Sequence, residues 1–330
     1  MERKKLWVGI MVLFIIVLLN VEIRAAEYSM RSAELVREGI SHARAHKYFA
    51  KRVDEITKGK VEVKVFFGGA LGNERNYCEQ LQLGSIDLAK VMVTNAVAFV
   101  PKFGVFAMPY LIRDLDHLYK IFDSIAGKVL QEEAEKAGFV ILAYWDTGIE
   151  GIYNSKRPIT KPEDLKGLKI RTREAPICID TLNAMGASAA PLATPEVFTA
   201  LQTKVFDGGV QDKIAFTMVF KYAEICKFYS LTEHAVENTF LMASKKHFDK
   251  LPKEIQDALR KAGRESMEYM QRQVTPVEEK EAIDIMQNKY GVKLNKVDKE
   301  AFIKKVAPVQ AKYKAEFGAE LVDGIAKIVK

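Results

Sequence analysis

Residues 48–94 read YFAKRVDEITKGKVEVKVFFGGALGNERNYCEQLQLGSIDLAKVMVT, and this stretch decides the fold class. Tyr48, Phe49, Val53 and Ile56 fall at helical spacing, so the segment opens on an amphipathic helix that Thr57-Lys58-Gly59 stops. Val61 to Phe67 then alternates apolar and polar as a half-buried strand, until Gly68-Gly69. A second helix is predicted from about Asn73 to Leu83, ending at Gly84, and Ile86 to Thr94 reads as a buried strand. Helix, strand, helix, strand at these lengths suggests parallel pairing, because parallel neighbours need a crossover of about this size. The predicted class is α/β.

The pattern restarts after Ala137-Gly138. Phe139 to Tyr144 is an apolar strand, Gly151 to Asn154 a shorter one, and Leu168 to Thr172 a third. Thr194-Pro195-Glu196 is a good helix start, with a hydroxyl cap and proline at the first helical position. That helix carries Val197 to Thr203 and yields to Asp207-Gly208-Gly209. From Pro252 to about Tyr290 the chain is nearly all helical, with Ile255, Leu259, Ala262, Met267, Met270 and Val274 as the inward stripe. Pro276 should kink or break it. A helix of this length in an α/β protein bridges two lobes or packs along a surface; we read it as a bridge.

The amino terminus is different in kind. Arg3, Lys4 and Lys5 form a basic head, and Leu6 to Leu19 run without a polar side chain. That run falls short of the roughly 20 apolar residues a spanning helix needs. It ends at Asn20, and the small residues Ala25 and Ala26 follow, which together make residues 1–26 a secretory signal peptide. No cysteine lies near the cut, so a lipid anchor is not expected, and an uncleaved membrane anchor is the alternative reading. The whole chain has 330 residues, 50 basic and 43 acidic side chains; the leader holds four and two of these, leaving 46 and 41 and a net +5. The charges are interspersed, so no nucleic-acid patch is expected, although a modest positive field can steer an anionic ligand.

The signatures of hydrolases, metalloproteases, phosphate loops and dinucleotide sites are missing from the sequence. Gly68-Gly69-Ala70-Leu71-Gly72 has neither the lysine nor the spacing of a phosphate loop and reads as a turn. His42 and His46, four apart, could share a metal, but no third ligand is visible nearby and helical spacing produces such pairs by chance. His117, His234 and His247 read as structural. Cys78, Cys178 and Cys226 are odd in number and lack CxxC spacing, so buried free thiols are expected. Acid pairs such as Glu132-Glu133 and Glu278-Glu279 read as solvated helix faces. Nothing calls for a cofactor or a resident metal.

Between Pro158 and Gln211 the sequence stops being generic. It contains Pro158-Ile159, then Asp164-Leu165-Lys166-Gly167-Leu168-Lys169-Ile170-Arg171, Met185-Gly186-Ala187, Pro191, Glu196-Val197-Phe198, Ala200-Leu201-Gln202 and Asp207-Gly208. Leu71-Gly72-Asn73-Glu74, Gly84-Ser85-Ile86-Asp87, Phe106-Ala107-Met108-Pro109-Tyr110, Leu231-Thr232-Glu233-His234 and Leu251-Pro252 flank it in order. The chain thereby resembles the DctP family, the solute-binding subunits of TRAP (tripartite ATP-independent periplasmic) transporters, over essentially its whole mature length.

The resemblance implies a two-lobed periplasmic binding protein with hinge strands and a long lobe-bridging helix. Residues 27–148 with about 237–276 would make lobe I, and 149–236 with about 277–330 lobe II. It implies a periplasmic protein that traps a small carboxylate between the lobes, performs no catalysis, and delivers the ligand to the small and large membrane permease subunits. Family members are mostly monomers, some dimers. A ligand-sensing subunit for a receptor and a secreted α/β enzyme stay open as alternatives.

Arg171 falls on the family's carboxylate-binding arginine, whose planar guanidinium matches two carboxylate oxygens. Arg173 points the same way along the strand but is not marked by the family. Gln211 stands where better-known members carry asparagine, and Glu74, Met92, Thr94, Asn95 and Trp145 fall at positions that approach the cleft. Sialic-acid-binding members have a second arginine, an acid and an aromatic that this chain replaces near Gly151, at Met92 and at Thr194. Met92 and Trp145 would offer apolar surface, so the expected ligand is a less hydroxylated, partly apolar acid.

Overall fold

The computed structural model describes residues 26–39 and 41–329. All but the last residue of the predicted signal peptide lies outside these. Ten strands form the framework of the described residues: β1 (Tyr28–Ala33), β2 (Val61–Phe66), β3 (Leu88–Met92), β4 (Phe139–Asn154), β5 (Lys169–Thr172), β6 (Ser188–Pro191), β7 (Gly208–Asp212), β8 (Phe228–Leu231), β9 (Val236–Ser244) and β10 (Lys293–Lys296). One sheet runs β2–β1–β3–β9–β4, with β1 parallel to both β2 and β3, and β9 antiparallel to β3 and β4. The other continues from β4 through β7, β5 and β6, while β8 and β10 extend it from the opposite edge of β4.

The opening segment folds as its pattern demands. A helix at His42–Thr57 buries Phe49 and Val53 and ends on Lys58 in the left-handed region. The next helix, Glu74–Leu83, starts on a reciprocal cap in which Asn76 N–H donates to Asn73 Oδ1 at 2.9 Å and Asn73 N–H donates to Asn76 Oδ1 at 3.1 Å. It stops at Gly84, whose φ of 76° suits glycine. The strand predicted to reach Thr94 ends instead at Met92, and Val93–Ala96 turns helical.

β4 is a single 16-residue strand where the sequence suggests two. Asp146, Gly148 and Glu150 interrupt the apolar run and look like a break. Pairing to β9 on one side and to β7 and β8 further along keeps the backbone extended, and register shifts between Asp146 and Gly148 take up the irregularity. β4 therefore belongs to both sheets. Its residues Phe139–Trp145 lie in a first hydrophobic cluster, Tyr153 in a second and Ile152 in a third.

The long helical run makes the same passage. Lys253–Tyr269 puts Ile255, Leu259, Ala262 and Met267 into the first cluster, whereas Met286, a few turns on, belongs to the second. Pro276 does not break it. A π turn at Met270–Val274 precedes the proline, and the helix resumes at Thr275–Asp284. Gly263 permits the run to lie on β4, since a Cβ there would sit 2.2 Å from the Leu142 carbonyl oxygen. Helix Lys299–Phe317 also crosses: Phe302 and Val306 pack in the third cluster, and Val309, Tyr313 and Phe317, beyond Pro308, in the first. The last segment, which sequence reading gave wholly to lobe II, is thus divided between cores, because its apolar face meets one lobe before Pro308 and the other after it.

Candidate functional site

A narrow cleft, with about 30 Å³ open to the centres of water-sized spheres, lies where the two sheets meet. The end of β3 and the turn after it supply Met92, Val93 and Thr94, and Phe106 and Ala107 complete that side. Across the gap stand Glu150 of β4, Thr172 and Arg173 at the end of β5, and Thr181 of the helix Pro176–Met185. His234 and the start of β9, to Asn238, form the floor. The cleft therefore lies at the ends of strands, the usual place for ligands in α/β folds.

Its polar groups fall into two kinds. Arg173 Nη1 is 2.5 Å from Glu150 Oε1, and Glu150 Oε2 is 3.6 Å from His234 Nε2. His234 Nδ1 lies 2.9 Å from Thr232 Oγ1, which fixes the ring. Burial pushes the His234 pKa down, Glu150 opposes this and Arg173 adds to it. The second kind is neutral: Thr94 Oγ1, Thr172 Oγ1, Thr181 Oγ1 and Asn238 Nδ2 are buried and have no hydrogen-bond partner in the protein. Such atoms are costly unless something pairs with them.

The residues singled out from sequence distribute as follows. Met92 and Thr94 line the cleft. Glu74 stands behind them as a buried post, accepting from Lys90 Nζ at 2.5 Å, Met92 N–H at 3.0 Å and Asn95 Nδ2 at 2.6 Å. Glu74 and Asn95 thus hold the turn that carries Met92 and Thr94. Arg171 is buried at 2% exposure outside the cavity lining, its Nε donating to Leu192 O at 2.9 Å and its Nη2 to Thr194 Oγ1 at 3.1 Å. Gln211 is buried on β7, two residues past the strand partner of Arg171, and its Nε2 donates to Asp212 Oδ2 at 3.2 Å.

Trp145 does not approach the cleft. It is fully buried in the first cluster, donates from Nε1 to Ser266 Oγ at 3.0 Å, and packs against His46 at 5.4 Å between ring centroids. Strand alternation turns it toward the long helix. The expectation of a partly apolar ligand loses Trp145 as support but keeps Met92, which with Val93, Phe106, Ala107 and Leu182 gives the cleft an apolar lining beside the unpartnered hydroxyls. Glu150, His234, Asn238, Thr172 and Thr181 were missed. Glu150 sits in the apparent break of β4, and an acid between two apolar runs was the available signal.

His42 and His46 face an acid. His46 Nδ1 is 3.1 Å from Glu34 Oε2 and its Nε2 2.6 Å from Ser32 Oγ, while His42 Nε2 is 3.8 Å from Glu34 Oε1. Among the described residues no cluster of three or more His, Cys, Asp or Glu side chains is arranged to hold a metal ion. Cys78 and Cys226 are buried free thiols, and Cys178 is half-buried.

Comparison with known proteins gives the architecture a family. The 2,3-diketo-L-gulonate-binding periplasmic protein of Escherichia coli is 33% identical over 258 residues, 78% of each chain. A TRAP periplasmic solute-binding protein from a Sulfitobacter species, solved with β-D-galacturonate, superposes with a TM-score of 0.84 at 31% identity, covering 91% of this chain and 100% of that one. One from Citrobacter koseri, solved with D-glucuronate, gives 0.82 at 33% identity, covering 91% and 99%. The sequence profile of the bacterial extracellular solute-binding proteins, family 7, matches residues 33–316, and with two sheets sharing β4 around a cleft at their junction, the chain belongs to this DctP family of TRAP solute-binding proteins.

Proposed function

We propose that this chain binds a small hydroxylated organic acid, of the sugar-acid kind, in the cleft between its lobes, and passes it unchanged to a TRAP membrane permease. The observation that carries the reading is the end of β5. Two arginines, the buried Arg171 and the half-buried Arg173, stand there beside a cleft whose Thr94, Thr172, Thr181 and Asn238 leave polar atoms unpartnered. Guanidinium groups suit a carboxylate, and neutral hydroxyl and amide groups suit ligand hydroxyls. The sugar acids bound by the two crystallised relatives support the ligand class. Arg171 is assigned the carboxylate, with Gln211 beside it; Met92 and Thr94 form the facing wall, and Glu74 and Asn95 hold that wall in place. Trp145 is left to the core. Residues 1–26 are read as a cleaved leader to the periplasm.

The test is a thermal-shift screen of ligand-stripped mature protein with sugar acids, aldonates, keto acids and aromatic acids. A ligand confined to the native state adds about 2.7 kcal/mol at a hundredfold excess over its dissociation constant. The expected outcome is a clear shift with at least one hydroxy acid, abolished in Arg171→Ala and reduced in Arg171→Lys, with the ligand recovered chemically intact. Shifts untouched by Arg171→Ala would remove Arg171 from the role, and no shift with any acid would remove the function.

A further inference from the structure

We propose that Glu150 sets the charge specificity of the cleft, admitting acids with a single carboxylate and hydroxyl donors and excluding dicarboxylates. The proposal rests on the carboxylate-binding reading above. Glu150 is 4% exposed, yet it lines the cleft instead of sitting in a hydrophobic cluster. Its Oε1 pairs with Arg173 Nη1 at 2.5 Å, so the charge of Arg173 is already met by an acid. Its Oε2 is 3.6 Å from His234 Nε2, longer than a hydrogen bond. Burial holds His234 toward its neutral form. Among the described residues, Arg173 is the one permanently charged cation lining the cavity.

On that reading, whatever part of the ligand enters the cleft meets Glu150, which lines it. A second carboxylate there would meet Glu150 in a desolvated space, where like charges are weakly screened, with no further cation in the lining to offset it. A hydroxyl meets no such penalty. It can donate to Glu150 Oε2, and its neighbours can pair with Thr172 Oγ1, Thr181 Oγ1 and Asn238 Nδ2, the atoms the protein leaves unpartnered. The same wall therefore rewards hydroxyls and penalises a second negative charge.

The experiment titrates the mature protein calorimetrically with acid pairs on one carbon skeleton: D-galacturonate against galactarate, D-glucuronate against D-glucarate, and D-erythronate against tartrate. For the wild type, at least one single-carboxylate acid should bind about 100-fold or more tightly than its dicarboxylate partner. Glu150→Gln should narrow that ratio at least about tenfold, partly by gaining affinity for the dicarboxylate, whereas Glu150→Asp should keep it. Comparable binding of both members of a pair by the wild type overturns the proposal, and this needs no variant to fold. An unchanged ratio in a Glu150→Gln protein with native circular dichroism also overturns it, making the Arg173–Glu150 pair a strap between strands. In both cases, binding that still requires Arg171 leaves the carboxylate reading standing. Failure of every acid to bind the wild type withdraws that reading and this proposal together.

Discussion

The buried charges beside β1 show how single residues set the acid stability of this protein. Burial, followed by the nearby Lys90 charge, lowers the His42 pKa from 6.5 to about 3, with Glu34 pulling the other way. Burial alone would raise Glu34, but Lys90, His42 and His46 together override it and hold the carboxyl at about 2 against 4.5. Both folded pKa values are depressed, so at falling pH the unfolded chain takes up protons that the folded chain refuses. The His42 contribution is complete above pH 6.5 and is lost as the pH falls toward 3; that of Glu34 is complete above 4.5 and is lost toward 2. His42→Gln should therefore flatten the pH dependence of urea-unfolding stability between pH 6.5 and 4.5 and reduce, without abolishing, the slope between 4.5 and 3, where Glu34 still contributes. An unaltered slope in the upper window would show that His42 is protonated in the folded state. Glu74 makes a second residue-scale prediction. Glu74→Gln weakens the support of the Met92 N–H and leaves Lys90 with Glu34 alone, at 3.5 Å, as its carboxylate partner. Stability should fall by about 1–3 kcal/mol and ligand affinity with it, because the Met92–Thr94 wall loosens without any ligand contact being removed. Calorimetry at a temperature where the variant is fully folded separates the two effects.

At the scale of elements, the contact between the long helix and β4 limits what the sequence can vary. Gly263 lies where the helix touches the strand, and a methyl group there would overlap the Leu142 carbonyl. Gly263→Ala should destabilise the fold by about 1–3 kcal/mol in chemical denaturation, although alanine is the better helix former. A stabilised Gly263→Ala would mean that helix and strand separate readily. The π turn before Pro276 is the second device at this scale. It takes the helix through a residue that lacks an N–H donor, so the run continues from the first cluster into the second. Hydrophobic spacing announced the helix, its inward stripe and a disturbance at Pro276. The kind of disturbance was settled by tertiary packing, since both halves of the run are anchored, by Met270 and Val274 on one side and Met286 on the other.

At the scale of the whole molecule, β4, the run from Lys253 to Lys289 and helix Lys299–Phe317 each pass between cores, and the cleft lies among them. Ala175 and Ile177, at the start of the helix that brings Thr181 to the cleft, pack into the first cluster, so the two sides touch across the gap. On the proposed binding reading, entry of a ligand parts that contact by a hinge motion. Small-angle scattering should report a smaller radius of gyration for wild-type protein with a saturating acid ligand than without it, and no change for Arg171→Ala. An equal radius in both wild-type samples would place closure before binding. The family was legible through the resemblance of motifs spread along the chain, whereas the α/β class, the helix from about Asn73, the Gly84 stop and the long apolar stripe were legible because each depends on residues a few positions apart, where propensity and periodicity act. The cleft was only partly legible. Arg171 and Glu74 lie in readable motifs, yet neither lines the cavity; Glu150, Thr181, His234 and Asn238 do, and they come from β4, one helix, the approach to β9 and β9 itself. Their meeting depends on β4 staying extended through Asp146–Glu150, which its own sequence disfavours and which pairing with β9 and β7 imposes. Local chemistry therefore determined what kind of protein this is, and long-range strand pairing decided which side chains line its cleft.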